Sequence, residues 1–460
     1  MTEPHLPQNS FRLSLSAKTQ SRRDSQRLCV PSRLCVFALL PVSLFFVAGC
    51  GDDDPPDPDS KSAEVKPAEV KPDPNPGATP LITKGGTTTP PDISDTIPVS
   101  PADGGTDLSS QFPALAALPE VPVPRDNPIT PAKVALGKLL FFDNRLSGDA
   151  GTSCASCHDP RLGWGDGQGV SRGYAGTQHW RNSQTTINSG YLTKLFWAGE
   201  VPSLETQAKS AITGNLAGNG DTVMIEERLA QMPEYVRQFN EAFGADYPTF
   251  DLALKAIASF ERAEMTVRDT AFDQFLNGDE DALPDDAKLG LALFKGKAGC
   301  IQCHNGALMS DENYHVLDVP PSDVFNSDPL RQVALRYQHY IRGVPEDVYR
   351  TADTDLGLYY TTKKDSDRGR FRTPPLRYLE FTAPYMHNGS LLTIEDVVDF
   401  YNLGGGKDEN QSPLIKPLNL TEDEKFALTE FLYSLSGDEI RIAVPELPQY
   451  KVAPDVAAAD

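Results

Sequence analysis

Cys154-Ala155-Ser156-Cys157-His158 and Cys300-Ile301-Gln302-Cys303-His304 are two copies of one pattern, CxxCH, and the rest of the chain is read from them. In this pattern both thiols form thioethers to the vinyl groups of a porphyrin and the adjacent histidine supplies the proximal imidazole, which is the attachment chemistry of c-type haem. Thiols at this spacing reach two vinyls on one edge of the ring, and the following residue is turned under the iron. A redox pair, a four-cysteine zinc site or disulfides would account for the cysteines, but not for a histidine after each pair. The chain has seven cysteines, and the other three, Cys29, Cys35 and Cys50, lie near its N-terminus. Two covalently bound haem c groups are expected, with His158 and His304 as proximal iron ligands.

The motifs begin 146 residues apart, which suggests two domains of comparable size, each carrying one haem. Around them apolar residues recur at helical spacing. Pro131 to Phe142 places Val134, Leu136, Leu139 and Leu140 on one face, and Met224 to Phe243 reads as two helices broken at Met232-Pro233, the second with Tyr235, Val236 and Phe239 inward. Phe250 to Leu276 reads as helical throughout, and a further helix starts at Pro284 and runs through Phe294 into the second motif. Thr421 with Glu424 three residues on is a capping box that opens a last helix to Leu435. Alternating strand patterns are scarce. The fold class is mainly α, with an N-terminal domain over 111–282, a C-terminal domain over 283–442 and a tail over 443–460.

With 460 residues, 39% hydrophobic and 23% charged, the chain has material for real cores, so wholesale disorder is excluded. A net charge of -22 argues against nucleic acid as a partner, because phosphate binding needs a concentrated basic surface. The one long apolar run, RLCVFALLPVSLFFVAGC over 33–50, has a basic flank and ends in Val47-Ala48-Gly49-Cys50, which is similar to a bacterial lipobox. Residues 1–49 are therefore expected to be a lipoprotein signal peptide, with Cys50 the lipid anchor of a periplasm-facing protein of a Gram-negative bacterium. An uncleaved anchor helix is the rival, but the run is shorter than the roughly 20 residues a span requires. Residues 50–110 are rich in Pro, Asp and Thr, with little apolar surface to repay ordering, and read as a flexible tether.

Several segments together carry a resemblance: LGKLLFFDNRLSGDAGTSCASCHDP, RNSQTTIN, LFWAGEVPSLETQAK, MPEYVRQFNEAF, GLALFKGKAGCIQCHNG and FRTPPLRYLEFTAPYMHNGSLLTIEDVVDFY. In this order they resemble the bacterial di-haem cytochrome c peroxidases, on the MauG-like branch, over about Pro124 to Gly437. The resemblance implies two cytochrome c-like domains packed face to face. The N-terminal haem would meet hydrogen peroxide, and the C-terminal haem would pass electrons from a small donor, a cytochrome c or copper protein, or from a protein substrate.

Individual residues follow from the same resemblance. Tyr401, 14 residues beyond His387, stands where the family places the sixth ligand of the electron-transfer haem; Met386 and His387 are the neighbouring alternatives. A phenolate there would stabilise ferric and higher oxidation states. Trp197 matches a tryptophan between the haems and Gln207 a glutamine of the peroxide pocket. Asn182, Thr382 and Pro384 match the positions that hold a structural calcium, for which neutral oxygens are suitable donors.

Beyond Gln207 the sequence departs. The family's acid–base glutamate falls at Ala217 and an expected proline at Ala211. Splitting the O–O bond needs a group to move a proton between the oxygens, a contribution of about 10²–10⁴-fold. Glu200, Glu205 and His179 are nearby, none in register, so a non-catalytic di-haem electron carrier is the alternative reading. His179 is expected in the pocket or at the surface, with iron ligation the lesser reading, and His315 and His339 are assigned to the surface.

Overall fold

The computed structural model describes residues 104–174 and 178–451. The expected signal peptide, Cys50, most of the tether and the end of the tail lie outside these residues. Helices dominate: α1 (Pro131–Phe142), α2 (Leu204–Thr213), α3 (Thr222–Ala230), α4 (Pro233–Phe243), α5 (Phe250–Glu264) and α6 (Ala271–Leu276) precede the second motif's helix α7 (Asp285–Lys295). After it come α8 (Asp323–Ser327), α9 (Pro329–Ile341), α10 (Glu346–Thr351), α11 (Tyr359–Thr362), α12 (Ile394–Asn402) and α13 (Glu422–Tyr433). Among the described residues the only strands are β1 (Tyr314–Val316) and β2 (Arg370–Arg372), an antiparallel pair with Tyr314 opposite Arg372.

Each half is built on one helix crossing. In the first, α1 lies against α5, and Gly137 lets the backbones touch: a Cβ there would sit 2.0 Å from the Ala256 carbonyl oxygen and 2.9 Å from Phe260 Cβ. In the second, α7 lies against α13 in the same way, with a Cβ on Gly290 2.0 Å from the Ala427 oxygen and 2.7 Å from Phe431 Cβ. Leu136, Leu140, Phe141, Tyr235, Phe239 and Phe260 fill the first core. Phe272, Leu293, Phe294, Ile301, Leu428 and Phe431 fill the second.

The local signals behave as their chemistry dictates. Thr130 accepts a hydrogen bond from Lys133 N and Pro131 takes the first turn, where no N–H is needed. Thr421 and Glu424 form the reciprocal capping box of α13.

The stretch 250–276 is not one helix. α5 stops at Glu264 because the next backbone groups are taken elsewhere: Met265 O accepts from Asn188 N and Val267 N donates to Asn188 Oδ1. Thr270 and Asp273 then cap α6 afresh. The chain ends also differ from the expected boundaries. Leu108, Phe112 and Leu115 pack on the second core, with Leu108 N bonded to Lys295 O, so the segment around residue 110 belongs with the C-terminal half. Ile440, Ile442 and Leu447 return to the first core, and Ile440 O accepts from Trp164 Nε1.

The crossings give a direct test. Gly290→Val should lower the urea-unfolding free energy of the holoprotein by about 3 kcal/mol, because a side chain there must separate two backbones. Gly244→Ala, where a Cβ meets nothing but φ is +68°, should cost only about 1 kcal/mol.

Candidate functional site: one cavity shared by two CxxCH motifs

Both motifs adopt the same local form. Cys154–Ser156 and Cys300–Gln302 are single 3₁₀ turns, in which His158 N donates to Cys154 O and His304 N to Cys300 O. The His158 Nδ1 lies 3.0 Å from Trp164 O and the His304 Nδ1 3.0 Å from Met309 O. With Nδ1–H donating to a carbonyl, Nε2 carries the lone pair, and the ring is oriented as a metal ligand requires. Burial holds both imidazoles neutral, pushing His304 down to about 4 and His158 below its ordinary value. Among the described residues no disulfide ties up Cys154, Cys157, Cys300 or Cys303, and burial raises Cys157 and Cys300 to about 12.

The two motifs open onto one cavity of about 1080 Å³. Trp197 lines it, 9% exposed, with Nε1 donating to Asn182 O at 2.9 Å and its own carbonyl accepting from Arg372 N. Its ring meets the edge of His387, which in turn stacks on Phe371 at 3.7 Å. Tyr401 projects from α12 into the same space beside Cys300 and Cys303, and burial raises its phenol pKa. Arg372 is buried and also faces the cavity; Nε and Nη1 donate to the carbonyls of Phe196 and Thr373, but Nη2 has no partner among the described residues.

Residues 131–281 match the model of the di-haem cytochrome c peroxidases. IdrP1, a cytochrome-c peroxidase of Denitromonas iodatirespirans, is 52% identical over 341 residues, 74% of this chain and 91% of that protein. The methylamine utilization protein MauG of Methylorubrum extorquens is 36% identical over 331 residues, 71% of this chain and 85% of its own. Among solved structures, a MauG-like protein associated with microbial copper homeostasis superposes with a TM-score of 0.60 at 29% identity, covering 70% of this chain and 95% of the other. The chain belongs to the di-haem cytochrome c peroxidase family. It is a peroxidase-type oxidoreductase, and nothing in these likenesses favours the purely electron-carrying alternative.

Haem c is the cofactor that membership in this peroxidase family implies, and the residues present suit it. Two neutral imidazoles with oriented lone pairs are ready iron ligands, each next to two thiols. The buried Arg372 cation, with no carboxylate bonded to it among the described residues, suits the anionic edge of a porphyrin. His158, His304, Tyr401, Trp197 and Gln207 all line the one cavity, as do Asn182, Thr382 and Pro384. Two of the last three are tied into backbone bonds: Asn182 Nδ2 donates to Gln168 O and Thr382 Oγ1 to Leu379 O.

The wall near Gln207 carries the departures of this peroxidase from its family pattern. Ala217 presents a methyl group from a turn after α2, and its carbonyl accepts from Tyr174 N at 2.6 Å. Glu205 turns away, bonded to Arg262 at 2.7 Å and Asn127 at 3.0 Å; burial opposes its charge, but these partners win and hold it at about 2. Glu200 is bound to Arg181 at 2.8 Å, and Asp355 to the same guanidinium at 2.6 Å, all three buried. Arg181 outweighs burial and holds Asp355 at about 2. His179 lines the cavity, stacked on Trp180 at 4.1 Å, and burial lowers it to about 4.

Two surface assignments are overturned. His339 is fully buried on α9, Nδ1 at 2.7 Å from Leu335 O and its ring edge-on to Tyr360, because α9 covers Trp180, Phe325 and Tyr360. His315 lies on β1 against the cavity, between Cys303 Sγ at 3.6 Å and Asp311 Oδ2 at 3.7 Å; its pairing with the Asp311 carboxylate raises it to about 9. Arg372 and Glu261 are site residues that sequence reasoning missed. Both stand in stretches quoted for other reasons, and no motif spacing singles them out.

The buried ion cluster makes a stability prediction. Arg181→Leu leaves Glu200 and Asp355 without a cation and should cost about 3–5 kcal/mol in thermal or urea unfolding. Asp355 has a lowered folded pKa, so its contribution is present above about pH 4, its unfolded value, and is lost as pH falls toward about 2. Asp355→Asn should flatten that part of the stability–pH curve.

Proposed function

We propose that this protein reduces hydrogen peroxide to water at the cofactor held by His158, with electrons supplied through the C-terminal half by a small cytochrome, a copper protein or an oxidisable protein substrate. The observation that carries the reading is that both CxxCH motifs, Trp197 and Tyr401 border one cavity. Cys154 and Cys157, with His158, would hold one haem c covalently, and Cys300 and Cys303, with His304, the other. The haems supply the one-electron steps that no side chain of this set can supply alone.

What the chain contributes is ligation, order and access. Trp164 O and Met309 O keep each imidazole in the ligating tautomer. Tyr401, beside Cys300 and Cys303, would be a further iron ligand on the C-terminal side, where a phenolate would favour ferric and higher states. Trp197, anchored at both its indole N–H and its carbonyl, is a rigid aromatic step between the two sites. Gln207 offers an amide to orient peroxide. Asn182, Thr382 and Pro384 supply neutral oxygens for a calcium ion between the halves. The leader and Cys50 support an exported, lipid-anchored protein facing the periplasm of a Gram-negative bacterium, held off the membrane by the tether.

Electron paramagnetic resonance with optical spectra of the ferric holoprotein tests this reading. High-spin and low-spin signals together, converted by one equivalent of peroxide, are expected; two low-spin centres indifferent to peroxide even after half-reduction would sink it. Tyr401→Phe should change the low-spin spectrum, and an unchanged one removes the ligand assignment. Cys50→Ala should abolish labelling by radioactive palmitate in cells.

A further inference from the structure

We propose that Glu261 is the proton-transfer residue of the peroxide site, taking on α5 the role for which position 217 offers only a methyl group. This rests on the peroxide-reducing reading above. Glu261 lines the cavity with His158, Gln207 and Ala217, and the residue is 4% exposed. Its Oε2 is buried without a hydrogen-bond partner among the described residues. Buried polar atoms are nearly always bonded, so an orphaned carboxylate oxygen at a cavity wall marks a place kept for something the side chains do not supply.

The neighbouring cation does not neutralise it. Arg262 is committed to Glu205 through both terminal nitrogens, at 2.7 and 3.1 Å. That pair ties α5 to α2, the helix carrying Gln207, so the two polar groups face the cavity from helices fastened to each other. The internal repeat supplies an independent comparison. Superposing the crossing of Gly137 on Ala256 and Phe260 with that of Gly290 on Ala427 and Phe431 pairs Glu261 with Leu432. Leu432 is buried at the wall of the same cavity and belongs to the second core. The position therefore asks for an apolar residue, and a carboxyl group occupies it only in the half that carries Gln207. Burying it there is costly for packing and desolvation, which points to use rather than support.

Several charged or titratable groups bear on Glu261. They are Arg262 beside it and Glu205 from α2, and the Cys154 sulfur of the first motif lies near it. Lys133 on α1 is spent on Asn127 and the Pro128 carbonyl, and Glu226 on α3 on the Phe250 N–H. Burial is the largest influence and raises the carboxyl to about 8, within range of a group that must both take and return a proton.

The step balances as follows. The Glu261 carboxylate takes the proton from one oxygen of hydrogen peroxide and returns it to the other. As the O–O bond breaks, its electron pair leaves with the second oxygen, which departs as water. Two electrons from the donor protein and two protons from solvent complete the second water.

Glu261→Gln in the holoprotein is the test, read by haem content, ferric spectrum, peroxide kcat/KM across pH, and the infrared carbonyl band of a buried carboxylic acid. Both haems and the ferric spectrum should be kept, while kcat/KM falls about 10²–10⁴-fold. The wild-type rise in kcat/KM as the carboxyl deprotonates should vanish together with its infrared band. Adding Ala217→Glu to the Glu261→Gln chain should restore turnover. Glu261→Gln turning over as fast as wild type overturns this assignment alone, whereas a wild type inert to peroxide overturns the peroxidase reading itself. If the variant takes up no haem, the wild type still decides: a turnover that does not follow the titration of the infrared band refutes the role.

Discussion

Two backbone contacts, Gly137 on the Ala256 carbonyl and Gly290 on the Ala427 carbonyl, set what every other element can do. Each brings two helices closer than any side chain permits, and so fixes the rotation of α5 and α13 about their axes. Helix rotation decides which residue meets the cavity: Phe260 and Phe431 pack inward against the partner helix, and the next residue, Glu261 or Leu432, is carried to the cavity wall. A substitution at either glycine is therefore a change to the site as well as to the core. The same geometry used twice gives one half of the cavity a carboxyl group and the other half a hydrocarbon.

The halves are joined by more than contact between their faces. Gly104 to Leu115 runs along the second core while Ile440 to Leu447 lies on the first, so each end of the described chain packs on the half distant from it in sequence. Between them the Arg377 guanidinium, fully buried, pairs with Asp273 at 2.8 Å and donates to the carbonyls of Ala307 and Ala116. One cation thus gathers the N-terminal strap, the linker helix α6 and the loop after the second motif. A buried pair of this kind contributes little net stability, but losing either member is expensive, so it holds the arrangement to one form. A cavity shared by two redox centres needs that, because the path between them runs through Trp197 and depends on its placement.

Much of this could be read from the amino acids. CxxCH followed by no spare cysteine announces the cofactor chemistry, and Pro131, Thr421 and the Met232-Pro233 break state helix ends in local terms that tertiary structure left alone. What could not be read are the features that depend on a distant partner. The α5 pattern continues past Glu264 in the sequence, but Asn188, far back in the chain, captures the backbone of Met265 and Val267. Leu108, Phe112 and Leu115 are too sparse to signal burial, and they find it only because Lys295 offers a free carbonyl. His339 sits on a helix whose other face exposes Leu330, Val333 and Tyr340, so its fully buried side is set by Trp180 and Tyr360, not by its neighbours. Glu261 reads as the polar end of an amphipathic helix until the second half of the molecule shows what the position ordinarily holds.

The turn after α2 explains why a carboxyl group belongs on a helix in this chain. Gly214, Gly218 and Gly220 surround Ala217, and the turn is packed backbone to backbone: a Cβ on Gly173 would lie 1.7 Å from Leu216 O, and one on Gly148 2.4 Å from Asn219 O. Tyr174 N–H to Ala217 O and Gly148 N–H to Gly218 O complete the seam. This seam is made by the backbone, and it leaves the Ala217 methyl group at the cavity wall. α5, held by its glycine contact and by Arg262 on Glu205, is a stiffer platform, and a group that must hand a proton between two oxygens gains more from a fixed helix than from a glycine-rich turn. The low dielectric that makes Glu261 costly to charge also keeps His158, His179 and His304 neutral, so the cavity holds ligating imidazoles and a reluctant carboxyl together without opposing full charges.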